Sequence, residues 1–242
     1  MDNDDVVRGR ILSRREIVAI MGAGGAALFL GSPVPGLADS HPVPPCVVRP
    51  EMTEGPYFVD EHLNRSDIRS DPSDGAISAG APLALTINVS QLTGSCTPLP
   101  GAIVDLWQCD AVGVYSDVKD PLFDTVGKRF LRGHQRSDAN GMVKFITVYP
   151  GWYPTRTVHI HFKVRSPATA KPAWEFTSQL FFDDGFTDRV YLQPPYAGRG
   201  NRKVLNASDG IYRRGGGSQL LLAVKETGDG YAATFDLAVQ RT

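Results

Sequence analysis

The chain reads as short apolar runs cut by turn residues, and no long stretch keeps a 3.6-residue period without meeting a breaker. Leu83-Ala84-Leu85-Thr86-Ile87-Asn88-Val89 alternates with a period close to two, the mark of a half-buried strand. The run 102–107 follows Pro100-Gly101, the run 142–148 follows Asn140-Gly141, and 158–164 and 176–182 extend the series. A weaker pair, 219–224 and 232–237, flanks Gly228-Asp229-Gly230. Several strands at such turn-punctuated spacing predict an all-β fold, an antiparallel β-sandwich with long irregular loops. The span 183–217 reads as one long loop holding Tyr191, Tyr196 and Tyr212, a functional cover or a surface excursion.

The N-terminal segment stands apart from this pattern. Arg14-Arg15 precede the apolar, Gly/Ala-rich run 17–31, which falls short of the about 20 residues a bilayer helix needs but suits a signal-peptide core. Pro33-Val34-Pro35-Gly36-Leu37-Ala38 then breaks any helix and ends in a small residue suited to cleavage. The adjacent arginines resemble a twin-arginine export signal. The expected division is an export signal over 1–38 and a sandwich domain over 39–242, with the protein periplasmic or extracellular and no stable membrane span after cleavage; an uncleaved anchor is the alternative. The same segment holds Gly22-Ala23-Gly24-Gly25-Ala26-Ala27, which matches a dinucleotide fingerprint in form. Prolines follow at once where a βαβ unit would need a helix, so that reading is rejected.

Charge and cysteines narrow the classes further. With 25 Lys and Arg against 26 Asp and Glu the formal net charge is -1, which leaves no electrostatic footprint for nucleic acid. The chain has 3 cysteines, Cys46, Cys96 and Cys109, and no C-x-x-C pair, so a thiolate metal site is not expected. In an oxidising compartment Cys46 and Cys96, both in Pro-rich loop sequence, are the favoured of three pairings, and Cys109 in a strand-like run reads as a buried thiol.

The strongest chemical signal is Val158-His159-Ile160-His161-Phe162-Lys163-Val164. Residues two apart in a strand share a face, so His159 and His161 project together while Val158, Ile160 and Phe162 face the other way. Two imidazoles so placed can chelate one metal ion; two structurally hydrogen-bonded histidines would fit the pattern as well. Only 5 histidines occur in the chain, and two of them sit in this apolar strand, which favours the metal. Upstream lies the turn-rich Tyr149-Pro150-Gly151-Trp152-Tyr153-Pro154-Thr155-Arg156, and Tyr115 ends another run. A phenol, with a pKa of about 10, ligates only a metal acidic enough to displace its proton, as ferric iron is. Taken singly, each tyrosine is more often a half-buried packing residue than a ligand.

These motifs together resemble the intradiol ring-cleavage dioxygenase family, in particular its protocatechuate 3,4-dioxygenase-like branch. The resemblance is carried, in order, by Thr53-Glu54-Gly55-Pro56-Tyr57-Phe58, Asp105-Leu106-Trp107-Gln108 through Tyr115, Arg132-Gly133 through Gly141, Pro150-Gly151-Trp152-Tyr153, Arg156 through Phe162, and Thr177-Ser178-Gln179-Leu180-Phe181-Phe182. It implies a β-sandwich core and a non-haem Fe(III) held by Tyr115, Tyr153, His159 and His161, with a solvent-derived hydroxide completing the sphere. It implies that Tyr153 is displaced when substrate binds, that Arg156 and Gln179 are catalytic, and that Tyr57 lines the substrate pocket. The implied reaction joins O2 to a catechol and opens the ring between the oxygen-bearing carbons, giving a muconate-type dicarboxylic acid.

Two rivals stay open on the residues alone. One is an exported zinc or copper enzyme using the same histidine pair, which leaves the tyrosines without a role. The other is a non-catalytic sandwich module that binds an aromatic or sugar ligand. The sequence favours no particular catechol, since no basic cluster answers a substrate carboxylate, and a homodimer fits it as well as a monomer.

Overall fold

In the computed structural model, which describes residues 46–240 apart from 94, 168 and 172, two sheets pack face to face. The expected export signal and the dinucleotide-like glycines lie outside the described residues. The strands are β1 (Pro82–Thr93), β2 (Ser95–Pro98), β3 (Ile103–Trp107), β4 (Lys119–Asp120), β5 (Phe123–Asp124), β6 (Arg132–Arg136), β7 (Met142–Val148), β8 (His159–Arg165), β9 (Glu175–Phe181), β10 (Lys225–Thr227) and β11 (Gly230–Gln240). One sheet runs β10-β11-β1-β2, with β7 also paired to β1; the other runs β6-β3-β8-β9. Strands β4 and β5 form a small separate hairpin. The sandwich expected from the sequence is present, with one pairing it did not include: β1 and β11 run parallel over ten residue pairs, whereas the other strand pairs are antiparallel. Alternation reports which face is buried and is silent on direction.

The period-two pattern builds the core directly. In β1, Leu83, Leu85, Ile87 and Val89 point inward and are at most 1% exposed, each contributing about 1.5–3 kcal/mol on burial. They meet Phe145 of β7, Val104 and Leu106 of β3, Ile160, Phe162 and Val164 of β8, and Phe235 and Leu237 of β11. Strand β8 is buried on both faces over its first six residues. Its second face carries His159, His161 and Lys163 and is covered by loops rather than by another sheet.

Three sequence expectations are corrected here. The span 183–217 is no single loop, because it holds α1 (Asp184–Val190) and α2 (Gly210–Arg214), capped by the side chains of Asp183 and Asp209. The expected strand 219–224 is displaced to β10, since Gly217–Leu220 turns as a 3-10 helix and only Leu221 bridges to Phe181. Cys109 lies beyond the end of β3, not in it, although it is a buried free thiol as expected. Cys46 and Cys96 form the favoured disulfide, with Cα atoms 5.5 Å apart. Among the described residues no helix is long and apolar enough to cross a membrane.

Candidate metal centre

The site is built on the loop-covered face of β8. His159 and His161 are each 2% exposed, and their Nε2 atoms stand 3.0 Å apart. His159 Nδ1 donates to the Thr157 carbonyl at 2.7 Å, which fixes that proton and leaves Nε2 as a bare lone pair. The Tyr153 hydroxyl lies 3.4 Å and the Tyr115 hydroxyl 3.5 Å from the same nitrogen. The tyrosines and histidines singled out in the sequence therefore converge on one point.

Two interlocked turns bring the phenols there. After β3 the chain turns at Asp110, whose Oδ1 accepts from the Val112 and Val114 amides at 2.9 Å each and so directs Tyr115 inward. The turn requires Gly113, at φ +87°, where a Cβ would overlap the Trp152 carbonyl oxygen. On the other side Gly151 donates to the Asp110 carbonyl at 3.0 Å, and Arg199 Nη1 donates to the Trp152 carbonyl at 2.7 Å. Tyr153 follows directly. Tyr115 is completely buried, whereas Tyr153 is half-buried.

Aromatic and polar neighbours complete the walls. The Trp107 ring stacks on His161 with centroids 5.0 Å apart and an 11° interplanar angle. Tyr57 stacks on Tyr115 at 4.5 Å, meets Tyr153 edge-on at 6.2 Å, and donates its hydroxyl to Asp120 of the β4–β5 hairpin at 2.7 Å. Arg132 of β6, buried, ties the loops of this wall to the sheet by donating to Ser116 Oγ at 2.8 Å and to the Tyr57 carbonyl at 3.2 Å. Gln179 sits opposite His161 in the β8–β9 ladder, fully buried. It donates to the Thr53 carbonyl at 3.0 Å and accepts from Arg156 Nη2 at 2.6 Å. Every sequence-predicted site residue is thus in or beside one constellation.

The sequence reading missed Asp209, whose carboxylate pairs with Arg156 Nε at 2.8 Å. The signal present was an N-capping Asp before Gly210, but a cap position does not reveal where the second oxygen points. Trp107 and Arg132 stood inside quoted motifs without a role.

Burial dominates the electrostatics of the site. Burial, then the adjacent Tyr153, holds the Tyr115 phenol well above its ordinary value. Burial, then the Arg156 guanidinium, pushes the His159 imidazole well below its own; burial, then His159, does the same to His161. One lone pair on His159 cannot satisfy both the second imidazole and the buried Tyr115 hydroxyl. A cation where both imidazoles and both phenols meet would let all four act as donors instead. The set is N and O without sulfur, which suits a hard, strongly acidic ion such as Fe(III). Among the described residues no group of three or more His, Cys, Asp or Glu side chains is placed to hold a metal. The residues fit a ferric ion.

Comparison with known proteins agrees with this geometry. The family model described as Dioxygenase matches residues 53–190, more than half of the chain. Catechol 1,2-dioxygenase 1 of Acinetobacter lwoffii is 26% identical over 194 residues, covering 68% of this chain and 58% of that protein. The protocatechuate 3,4-dioxygenase beta chain of Burkholderia cepacia is 30% identical over 135 residues, covering 52% of this chain and 57% of that protein. The alignments thus span less than two thirds of either relative. Among solved structures, an intradiol ring-cleavage dioxygenase from Tetranychus urticae superposes with a TM-score of 0.70 at 31% identity, covering 81% of this chain and 95% of that one. The dioxygenase domain of a carbohydrate-binding fusion protein from Streptomyces sp. SirexAA-E gives a TM-score of 0.58 at 28% identity, covering 81% and 100%. With this match, this fold and this convergence of side chains, the chain belongs to the intradiol ring-cleavage dioxygenase family.

Proposed function

We propose that the protein is a non-haem Fe(III) dioxygenase that cleaves a catecholic ring between its two hydroxyl-bearing carbons, with Tyr115, Tyr153, His159 and His161 holding the metal. The observation that carries the reading is the approach of two phenol oxygens and a second imidazole to the lone pair of His159, all within 3.5 Å. A ferric ion bound there supplies a Lewis acid that favours the doubly deprotonated catechol and orients its ring for attack by O2.

The chain's own residues divide the remaining work. Tyr115, completely buried, would serve as the fixed phenolate, while half-buried Tyr153 would be the one to swing aside for substrate and take a proton on its oxygen. The Thr157 carbonyl keeps the His159 proton on Nδ1 and so keeps Nε2 available. Arg156 stays protonated at neutral pH and stabilises negative charge developing on the substrate ring. Gln179 holds that guanidinium from the β9 side. Tyr57, Trp107 and the β4–β5 hairpin would form an aromatic wall that excludes water.

Export of the folded, metal-loaded protein through a twin-arginine-like signal over 1–38 is part of the proposal; the Cys46–Cys96 disulfide supports an oxidising destination. The substrate is a catecholic small molecule with O2 as co-substrate, and a homodimer is compatible with it.

Oxygen-electrode assays of the ferric protein across a catechol panel, with isotope-labelled O2 and product identification, test the reading. Equimolar O2 uptake with both atoms in a ring-opened dicarboxylic acid is expected. Aromatic binding that survives metal removal, with no O2 uptake from any catechol, would replace it with a binding module.

A further inference from the structure

Asp209 closes the excursion between β9 and β10 over the site, and its side chain is 0% exposed. Both of its oxygens are engaged. Oδ2 accepts from Arg156 Nε and from the Thr157 amide, each at 2.8 Å, and Oδ1 accepts from the Tyr212 amide at 2.9 Å, capping α2. Thr157 also borders the candidate centre, because its carbonyl, in the next peptide unit, accepts the His159 Nδ1 proton. Asn206, from the same turn as Asp209, lies 2.8 Å from Thr157 Oγ1 and donates to the Phe182 carbonyl.

We infer that Asp209 is a positioning residue, one that sets the Arg156 guanidinium. The inference rests on the proposed dioxygenase reading for its catalytic consequence. Its physical basis is the choice of atoms. A carboxylate bound at Nε grips the guanidinium where it joins its stem, which turns the outer end of the fork toward Gln179. The same oxygen pins the Thr157 amide, so the Arg156 side chain and the peptide that follows it are held by a single atom. A role confined to capping α2 would need only Oδ1.

The test is a double-mutant cycle between Asp209→Ala and Arg156→Ala, read as kcat and KM for the best catechol. If Asp209 acts through Arg156, Asp209→Ala lowers kcat by about 100-fold with a smaller change in KM, and the double variant is no slower than Arg156→Ala alone. Asp209→Asn keeps one oxygen for Arg156 and Thr157 but turns its amide NH2 toward the Tyr212 amide, and loses about 10-fold. Should Asp209→Ala fail to fold, the Asn variant carries the same cycle with the same non-additivity. A readout free of metal and substrate accompanies it: the Arg156 Nε–H resonance of the metal-free protein, identified by its loss in Arg156→Ala, exchanges slowly with solvent in wild type and rapidly in Asp209→Ala. Additive losses, a wild-type kcat, or an Nε–H that stays protected would overturn the inference. A wild-type protein inactive on every catechol would remove the dioxygenase reading instead, while the exchange of that proton would still decide whether Asp209 holds Arg156.

Discussion

His161 and His159 present their Nε2 atoms to each other at 3.0 Å, with the His159 proton committed elsewhere. Without a cation, a second imidazole and the buried Tyr115 phenol compete for one lone pair, and the Nδ1 of His161 has no hydrogen-bond partner among the described residues. A metal at the meeting point relieves that competition. Replacing His159 by Ala should therefore abolish stoichiometric iron binding, with a fall in affinity beyond the 10–100-fold typical of changes outside the ligand set. Metal analysis after dialysis against a weak chelator checks this, and iron retained at the wild-type ratio would count against the site.

The same burial makes the metal-free protein sensitive to acid. Both imidazoles have folded-state pKa values well below the ordinary one, so the unfolded chain takes up protons first as pH falls. Stability is then fully present above about 6.5 and declines below it, by up to roughly 1.4 kcal/mol per pH unit for each imidazole. Denaturant titrations of the apoprotein at a series of pH values should show this slope, and His161→Ala should flatten it.

Gly113 offers a test of how the turns aim the phenols. An Ala there combines a strained φ with overlap on the Trp152 carbonyl, next to Tyr153. Gly113→Ala should destabilise the fold by more than about 1 kcal/mol and perturb the colour of the ferric protein. Thermal melts and visible spectra report the two effects separately.

The disulfide joins residues 50 apart in sequence and ties the segment leading to Tyr57 onto β2. Loop-closure arithmetic for that separation gives about 4 kcal/mol as an upper figure. The Cys46→Ser/Cys96→Ser variant should lose roughly 2–4 kcal/mol in denaturant melts. A change near zero would show that the tether contributes little to the folded state.

The sequence exposed the sandwich and its centre wherever alternation and chemistry coincided. Strand β7 begins and ends where its run predicts, and β8 is shifted by one residue at each end. Strand β6 was invisible because Arg132-Gly133-His134-Gln135-Arg136 has no apolar alternation; it is held by pairing to β3 and by the 63–65 segment on its other side. The parallel β1–β11 pairing could not be read from side-chain pattern, since either direction buries the same residues. The paired histidines were legible because a strand puts residues two apart on one face. Asp209 was not, because its contact with Arg156 spans 53 positions and arises only when α2 is capped.

The most direct measurement is the visible absorption spectrum of the purified protein loaded with ferric iron. The account predicts a phenolate-to-iron charge-transfer band in wild type, weakened and shifted in Tyr153→Phe and strongly altered or lost in Tyr115→Phe. A wild-type protein that holds stoichiometric ferric iron and stays colourless, or a band indifferent to both substitutions, would contradict it.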